Sequence, residues 1–377
     1  MTDPGTAESE VAPEQKPPGY WNSLTHPTRR GWMLIIAACS TLVLLGIAFL
    51  MPVPFVKLAP GPTFNVIGQV DGEDVIQITG TETFPTSGNL DMTTVLESGG
   101  PRGGLTFVDA IASWLDPNDA VVPRELIFPD DETGEDVARR QAVSFSTSQS
   151  DAIAAAMTYL GKPIVSQIVV TTVYGDSPAD GILEPKDELL AIDGVEVTSS
   201  AQVSEAIKAK PIGTTFAITI NRDGTEQEVE VTSAPNPDDA SVPYIGIGVG
   251  VYYTAEFDID FTLQDVGGPS AGLMFTTGII DKLTPGDLTA GKYIAGTGTI
   301  SPDGTVGPIG GIRQKLAGAR HNGATLFLMP KAHCTEAAGH IPDGLTVVPV
   351  ATLSEGIQAI EDFNAGKPLA TCPVAVS

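Results

Sequence analysis

A serine hydroxyl becomes a useful nucleophile only when a neighbouring base removes its proton, and a desolvated lysine can be that base without a histidine. Ser270 and Lys315 stand in segments that suit these two roles. Ser270 lies in GGPSAG (267–272), where Gly267 and Gly268 permit a tight turn and Pro269 takes the expected first position of a helix running through SAGLMFTTGIIDKL. Ser270 is thereby expected in the first turn of a buried helix. Unpaired backbone N–H groups there, with the positive end of the helix dipole, can stabilise an oxyanion. Lys315 lies in GPIGGIRQK, in the first turns of a second helix that carries Ile312, Leu316 and Ala319 at helical spacing. Burial at that position disfavours the charged form, so the lysine pKa falls from its ordinary value of about 10.4. The implied chemistry is acyl transfer, with Ser270 attacking and Lys315 acting as base and then as acid. Taken singly, the first segment also fits a capping serine in a strand-to-helix turn, and the second a solvated lysine beside Arg313.

The elements that must position the pair are legible. Residues 297–330, TGTISPDGTVGPIGGIRQKLAGARHNGATLFLMP, read as a strand, a turn at Pro302-Asp303-Gly304 and a second strand. A Gly310-Gly311 break then precedes a helix closed by Asn322-Gly323, and a further strand ends at Pro330. Together the two segments resemble the proteolytic domain of Lon proteases, over about residues 60–355. The resemblance implies that Ser270, the serine of GPSAG, is the nucleophile and that Lys315 is the base. It further implies a supporting hydrogen bond from Thr297 in AGTGTI, with Gly268 and Pro269 shaping the turn. One departure stands out. Lon usually carries an acid three positions before the serine, whereas Gly267 occupies that place here and the nearest acid is Asp265.

Composition narrows the alternatives. With 20 basic and 46 acidic residues, the net charge of −26 argues against a nucleic-acid-binding stripe and suits a solvated surface outside a membrane. No G-x-x-x-x-G-K-[ST] phosphate loop occurs, since Tyr293 follows Gly291-Lys292 and Pro163 follows Gly161-Lys162, so no nucleotide is expected. The four histidines, His26, His321, His333 and His340, form no H-E-x-x-H helix and no zinc-ligand pair, and neither metal nor cofactor is expected. A trypsin-like serine loop is absent too. His321 reads as a cap at the end of the lysine helix.

From Gly31 to Met51 the chain is uncharged and long enough to cross a hydrocarbon core of about 30 Å. Arg29 and Arg30 precede this run with no acid after Lys16, and Lys57 stands alone beyond it. The positive-inside rule therefore keeps the N-terminus in the cytoplasm and puts everything after about residue 54 outside, with Tyr20, Trp21 and Trp32 near the inner interface. A cleaved signal peptide is the alternative, although no clear A-x-A site follows. Cys39 falls in the span. Outside, Cys334 and Cys372 suit a disulfide that ties down the C-terminal tail, two buried free thiols being the alternative.

Between the membrane run and Ser270 the pattern changes twice. Strand-like VIQITG (75–80) and GNLDMTTV (88–95) precede a helix with Ala110, Ile111 and Trp114, an acidic loop over 116–136, and a helix over 148–161 that buries Ala152, Ala155, Ala156 and Tyr159. Residues 169–209 follow, with a short helix at Ser177-Pro178-Ala179, and then a hairpin over 216–232 turning at Asp223-Gly224. This unit resembles a PDZ domain of the bacterial protease type. The resemblance implies binding of an extended peptide, with Leu160-Gly161 as candidate carboxylate loop, a structural spacer being the other reading. Protease-like sequence resumes at Tyr244.

The expected class is therefore α+β: a cytoplasmic, disordered tail (1–30), a transmembrane helix (31–53), a discontinuous Lon-like domain (54–162 and 235–377) and an inserted PDZ domain (163–234). This plan resembles the YlbL-type Lon-like PDZ proteases of Gram-positive bacteria. It implies a single-pass membrane serine endopeptidase acting on extracytoplasmic proteins or peptides without ATP, and homo-oligomers are allowed. A catalytically silent PDZ scaffold at the membrane surface is the competing reading.

Overall fold

The uncharged run folds as helix α1 (Arg29–Leu50) and stops two residues before Pro52. Proline lacks the amide donor and disfavours helical geometry in the residue before it. The helix thus ends earlier than the expected 31–53, because Pro52–Val53 is already a strand, β1. In this computed structural model residues 29–101, 103–128, 133–222, 224–263 and 266–372 are described. The expected tail up to residue 28, with Tyr20 and Trp21, lies outside the described residues, as do Asp223 and Asp265.

Next come β2 (Phe55–Asn65) and β3 (Asn89–Ser98), then a short β4 (Leu105–Thr106) paired with β1, helix α2 (Phe107–Leu115) and edge strand β5 (Ala120–Pro123). Helix α3 (Gly134–Leu160) leads into β6 (Val165–Val173), β7 (Glu188–Ile192), helix α4 (Ser200–Lys208), β8 (Thr215–Arg222), β9 (Thr225–Thr232) and β10 (Ile247–Thr254). The chain then runs through α5 (Gly272–Leu283), β11 (Tyr293–Gly296), α6 (Ile312–His321), β12 (Leu326–Pro330), β13 (Thr346–Val350) and α7 (Leu353–Asn364).

The first sheet has the order β13-β12-β11-β3-β2-β5. Its first four strands are parallel, and β2 pairs antiparallel with both β3 and β5. Buried parallel strands are apolar on both faces, as in the LFLMP run of β12, which is buried throughout. Helix α5 is buried at every position except Lys282, so it serves as the central helix. Its Phe275 meets Phe145 of α3 and Phe261 edge-on, with ring centroids 5.7 and 4.8 Å away.

The second sheet, β9-β8-β7-β6-β10, is antiparallel and has its own core around Val170, Leu189, Phe216, Ile218 and Ile220. It interrupts the first unit. Residues 76–79 pair antiparallel with 258–261, across the insertion. One apolar core joins Val66, Leu90 and Met92 from before the second sheet to Leu273, Ile294 and Leu328 from after it.

Several expectations need correction. The second sheet does not end near 234: β10 pairs with β6 along its length, and Ile245 belongs to the second core. Alternation of apolar residues in 244–254 marks a strand without naming its partner sheet. Ser177-Pro178-Ala179 forms successive turns and no helix, with Ile182 and Leu183 donating to the Ala179 carbonyl. The acidic loop is shorter than 116–136, because β5 intervenes and α3 already begins at Gly134. A capping box starts that helix: Thr133 Oγ1 accepts from the Asp136 amide at 3.2 Å, and the Asp136 carboxylate accepts from the Thr133 amide at 3.1 Å. Tyr159 is exposed, whereas Ala152, Ala155 and Ala156 are buried as expected. Leu160-Gly161 ends α3, with Gly161 as a left-handed cap (φ 64°), and does not line the groove between α4 and β10. Cys334 and Cys372 are joined in a disulfide, and Cys39 is a free thiol.

Candidate active site

Ser270 sits on the turn that enters α5, not within the helix. Gly268 has φ +84°, a conformation in which a Cβ is strained, and the first helical residue is Gly272 with Ala271 as its N-cap. The expected helical start at Pro269 is therefore early, and tertiary bonds explain why. The Ser270 carbonyl accepts from the Gly298 amide at 2.9 Å and from Thr297 Oγ1 at 3.0 Å, while the Leu273 amide donates to the Gly298 carbonyl. Groups that would have closed the first helical turn are thus paired with residues 297 and 298. From the opposite side, α3 holds the same turn. Its Ser148 Oγ donates to the Pro269 carbonyl at 3.0 Å, and its Gln141 carbonyl accepts from the Gly268 amide at 3.1 Å.

The same helix accounts for the departure at Gly267. A Cβ there would lie 2.8 Å from Gln141 Cβ, closer than carbon atoms approach, so an acidic side chain does not fit without displacing α3.

Lys315 is carried by α6, whose N-cap Gly311 has φ +67° and whose hypothetical Cβ would meet Val95 at 2.6 Å. Ile312, Leu316 and Ala319 are fully buried, which fixes the helix against the first sheet and draws Lys315 inward to 3% exposure. Its Nζ donates to Thr297 Oγ1 at 3.2 Å. Burial pushes the Lys315 ammonium down from the ordinary lysine value to about 7. Thr297, itself buried, donates its hydroxyl proton to the Ser270 carbonyl, so its oxygen is left to accept from the lysine. One hydrogen-bonded chain thus runs from Lys315 through Thr297 to the backbone of Ser270. Both Ser270 and Lys315 line a cleft of about 830 Å³ whose walls include Phe64, Met92, Leu126 and Val266.

Sequence reasoning passed over three participants. Gln141 and Ser148 lie on the part of α3 that holds the Ser270 turn; the capping pattern Thr133-x-x-Asp136 was the available signal for the helix. His333 is the third. Its Nε2 accepts from the Ile309 amide at 2.9 Å, which leaves the ring proton on Nδ1 to face the Glu336 carboxylate at 3.0 Å. It therefore steadies the Pro308–Gly311 wall of the cleft, directly beside the disulfide at Cys334. A histidine three residues before a glutamate on a helical turn was the signal.

The Lon protease (S16) C-terminal proteolytic domain matches residues 264–360, which contain both Ser270 and Lys315, and the PDZ domain matches residues 143–232. The chain carries a Lon-type proteolytic domain and a PDZ domain. Among curated relatives, the Lon protease of Azospirillum brasilense is 39% identical over 92 residues, covering 23% of this chain and 11% of that protein. The Lon protease of Roseiflexus castenholzii is 41% identical over 69 residues, 18% of this chain and 8% of the relative. The chain thus spans only a small part of these relatives' length. Among solved structures, the PDZ domain of the SdrC-like protein from Listeria monocytogenes is 26% identical, covers 22% of this chain and 86% of its own, and has a TM-score of 0.21. The PDZ match ends before β10, the strand that completes the second sheet here.

Proposed function

We propose that this chain is a membrane-anchored serine endopeptidase that works without ATP, with Ser270 as nucleophile and Lys315 as base. The observation that carries the reading is the buried Lys315 ammonium, titrating near 7 and linked through Thr297 to the backbone of Ser270. A lysine with that pKa is substantially neutral at physiological pH. One of its N–H groups donates to Thr297, and its lone pair takes the Ser270 proton as Oγ attacks the scissile carbonyl. The oxyanion is met by backbone N–H groups of the turn that enters α5, ahead of Leu273, whose amide is committed to the Gly298 carbonyl. Lys315 then returns the proton to the leaving amine. Water, deprotonated by the same lysine, hydrolyses the acyl-enzyme.

Substrates are extracytoplasmic proteins or peptides, gathered by the PDZ domain. A groove of about 320 Å³ runs between α4 and β10, with Tyr244-Ile245-Gly246 at its end. Because β10 is the last strand of its sheet, its edge at Ile247–Val249, which lines this groove, can accept an extended peptide as an added strand, whereas the Tyr253 amide further along is taken by Ser150 of α3. Helix α1 anchors the chain, with Arg29 and Arg30 on the cytoplasmic side and the peptidase outside. The test is labelling by a fluorophosphonate serine probe. Wild type should be labelled on Ser270 and Ser270→Ala should not; equal labelling of both proteins would reject the nucleophile, and no labelling of wild type would favour a silent scaffold.

A further inference from the structure

Helix α2 is amphipathic in the wrong sense for a soluble protein. Phe107, Val108, Ile111, Trp114 and Leu115 fall within an arc of about 120° of the helix at 100° per residue. All five are exposed, Trp114 by 80% and Leu115 by 76%. The residue that α2 buries against the protein is Ser113 instead. A surface helix normally turns its apolar stripe inward, so this one is missing its apolar environment.

The chain itself indicates what covers it. Helix α2 is tied to the end of α1: Pro52 and Val53 pair with Thr106 and Leu105, and the Phe107 amide donates to the Met51 carbonyl at 3.3 Å. At 1.5 Å per residue, the 22 residues of α1 span about 33 Å, just the thickness of a hydrocarbon core, so Met51 and Phe107 emerge together at the headgroup level. The geometry points to α2 lying in the outer leaflet interface, its Phe107–Leu115 stripe buried among lipid acyl chains and Trp114 near the headgroups. This inference rests on α1 being a membrane anchor. Insertion is apolar rather than electrostatic, because α2 carries no basic residue and has Asp109 in its first turn. A second consequence is positional. With both α1 and α2 in the bilayer, the protease core cannot swing away on a single tether, and β2 starts at Phe55 immediately above the surface.

The experiment uses the full chain carrying Trp21→Phe and Trp32→Phe, which leaves Trp114 as its only tryptophan, reconstituted in phosphatidylcholine liposomes. With lipids brominated near the headgroup end of their acyl chains, Trp114 emission should fall by about twofold or more, unaffected by high salt. Ile111→Glu should largely abolish the quenching, while probe labelling of Ser270 reports that the protease is still folded. If the chain floats with liposomes but Trp114 is unquenched by bromolipid and reached by aqueous acrylamide, the inference is overturned and the anchor stands. Shielding of Trp114 from both quenchers overturns it too, in favour of contact with a second copy. Failure of the full chain to float would remove the anchor, and this inference with it.

Discussion

At the scale of single residues, Lys315 sets the pH behaviour. The unfolded chain keeps this lysine protonated until about 10.5, whereas the folded protein releases the proton near 7, so between those values the unfolded state holds more protons. Its contribution to stability therefore rises with pH from about 7 to 10.5 and is least favourable below that window. The shift corresponds to a burial cost of about 5 kcal/mol. Two outcomes are expected. Acylation of Ser270 by the serine probe should climb with pH through about 7, and Lys315→Met should abolish it while stabilising the fold by a few kcal/mol at neutral pH, less near pH 10, as read by denaturant melts. A Lys315→Met protein that acylates normally would remove the base assignment. Thr297 acts through others, as a positioning residue. Thr297→Ala should slow acylation by about 10- to 100-fold and move the midpoint of the pH profile, and Thr297→Ser should restore both; an unchanged midpoint would reduce Thr297 to a structural role.

At the scale of elements, α3 is the part that joins the second sheet to the Ser270 turn. Its Ser148 and Gln141 hold the turn at 268–269, its Ser150 Oγ accepts from the Tyr253 amide of β10 at 2.6 Å, and its Arg139 reaches the Val173 carbonyl of β6 at 3.3 Å. Ser148→Ala leaves the Pro269 carbonyl without this donor, so acylation should drop several-fold with the pH midpoint unchanged, since Lys315 keeps its surroundings. A shift of the midpoint would mean that α3 acts on the lysine instead. The elements nearest the chemistry were the most legible in the sequence. Asn322 caps α6, Gly311 opens it, and the hairpin turning at Pro302-Asp303-Gly304 is where its turn residues put it. Helix rules place the start of α5 too early because they count local bonds only, and the decisive partners of Ser270 are Thr297 and Gly298.

For the whole molecule, the two domains are nested, and the positions of the seams are testable. Val165 and Thr254 are cross-strand partners in β6 and β10, so the ends of the inserted unit lie side by side. Replacing residues 165–254 with a short Gly-Ser linker should leave a folded core that still labels on Ser270, because it closes a gap the native chain already keeps small. Replacing 165–234 alone should fail: Ile245, Ile247, Val249 and Val251 would lose the core they pack on and be left in water. Circular dichroism and probe labelling of the two deletions should separate them. Equal folding of both would put the domain boundary back near 235.

What the sequence determined by itself was local and chemical: a serine in a glycine-proline turn, a lysine at the start of an apolar helix, a membrane-length run and a PDZ-like order of turns and strands. These follow from residue type, spacing and turn chemistry, which act over a few positions. Only the tertiary structure decided which sheet takes 247–254, that α3 holds the Ser270 turn, that His333 steadies the wall of the cleft, and that the apolar stripe of α2 faces outward beside α1. Each of these depends on pairing between segments far apart in the chain. A strand's alternation or a helix's stripe specifies that one face is to be buried, and the partner that buries it is chosen only when the whole chain closes.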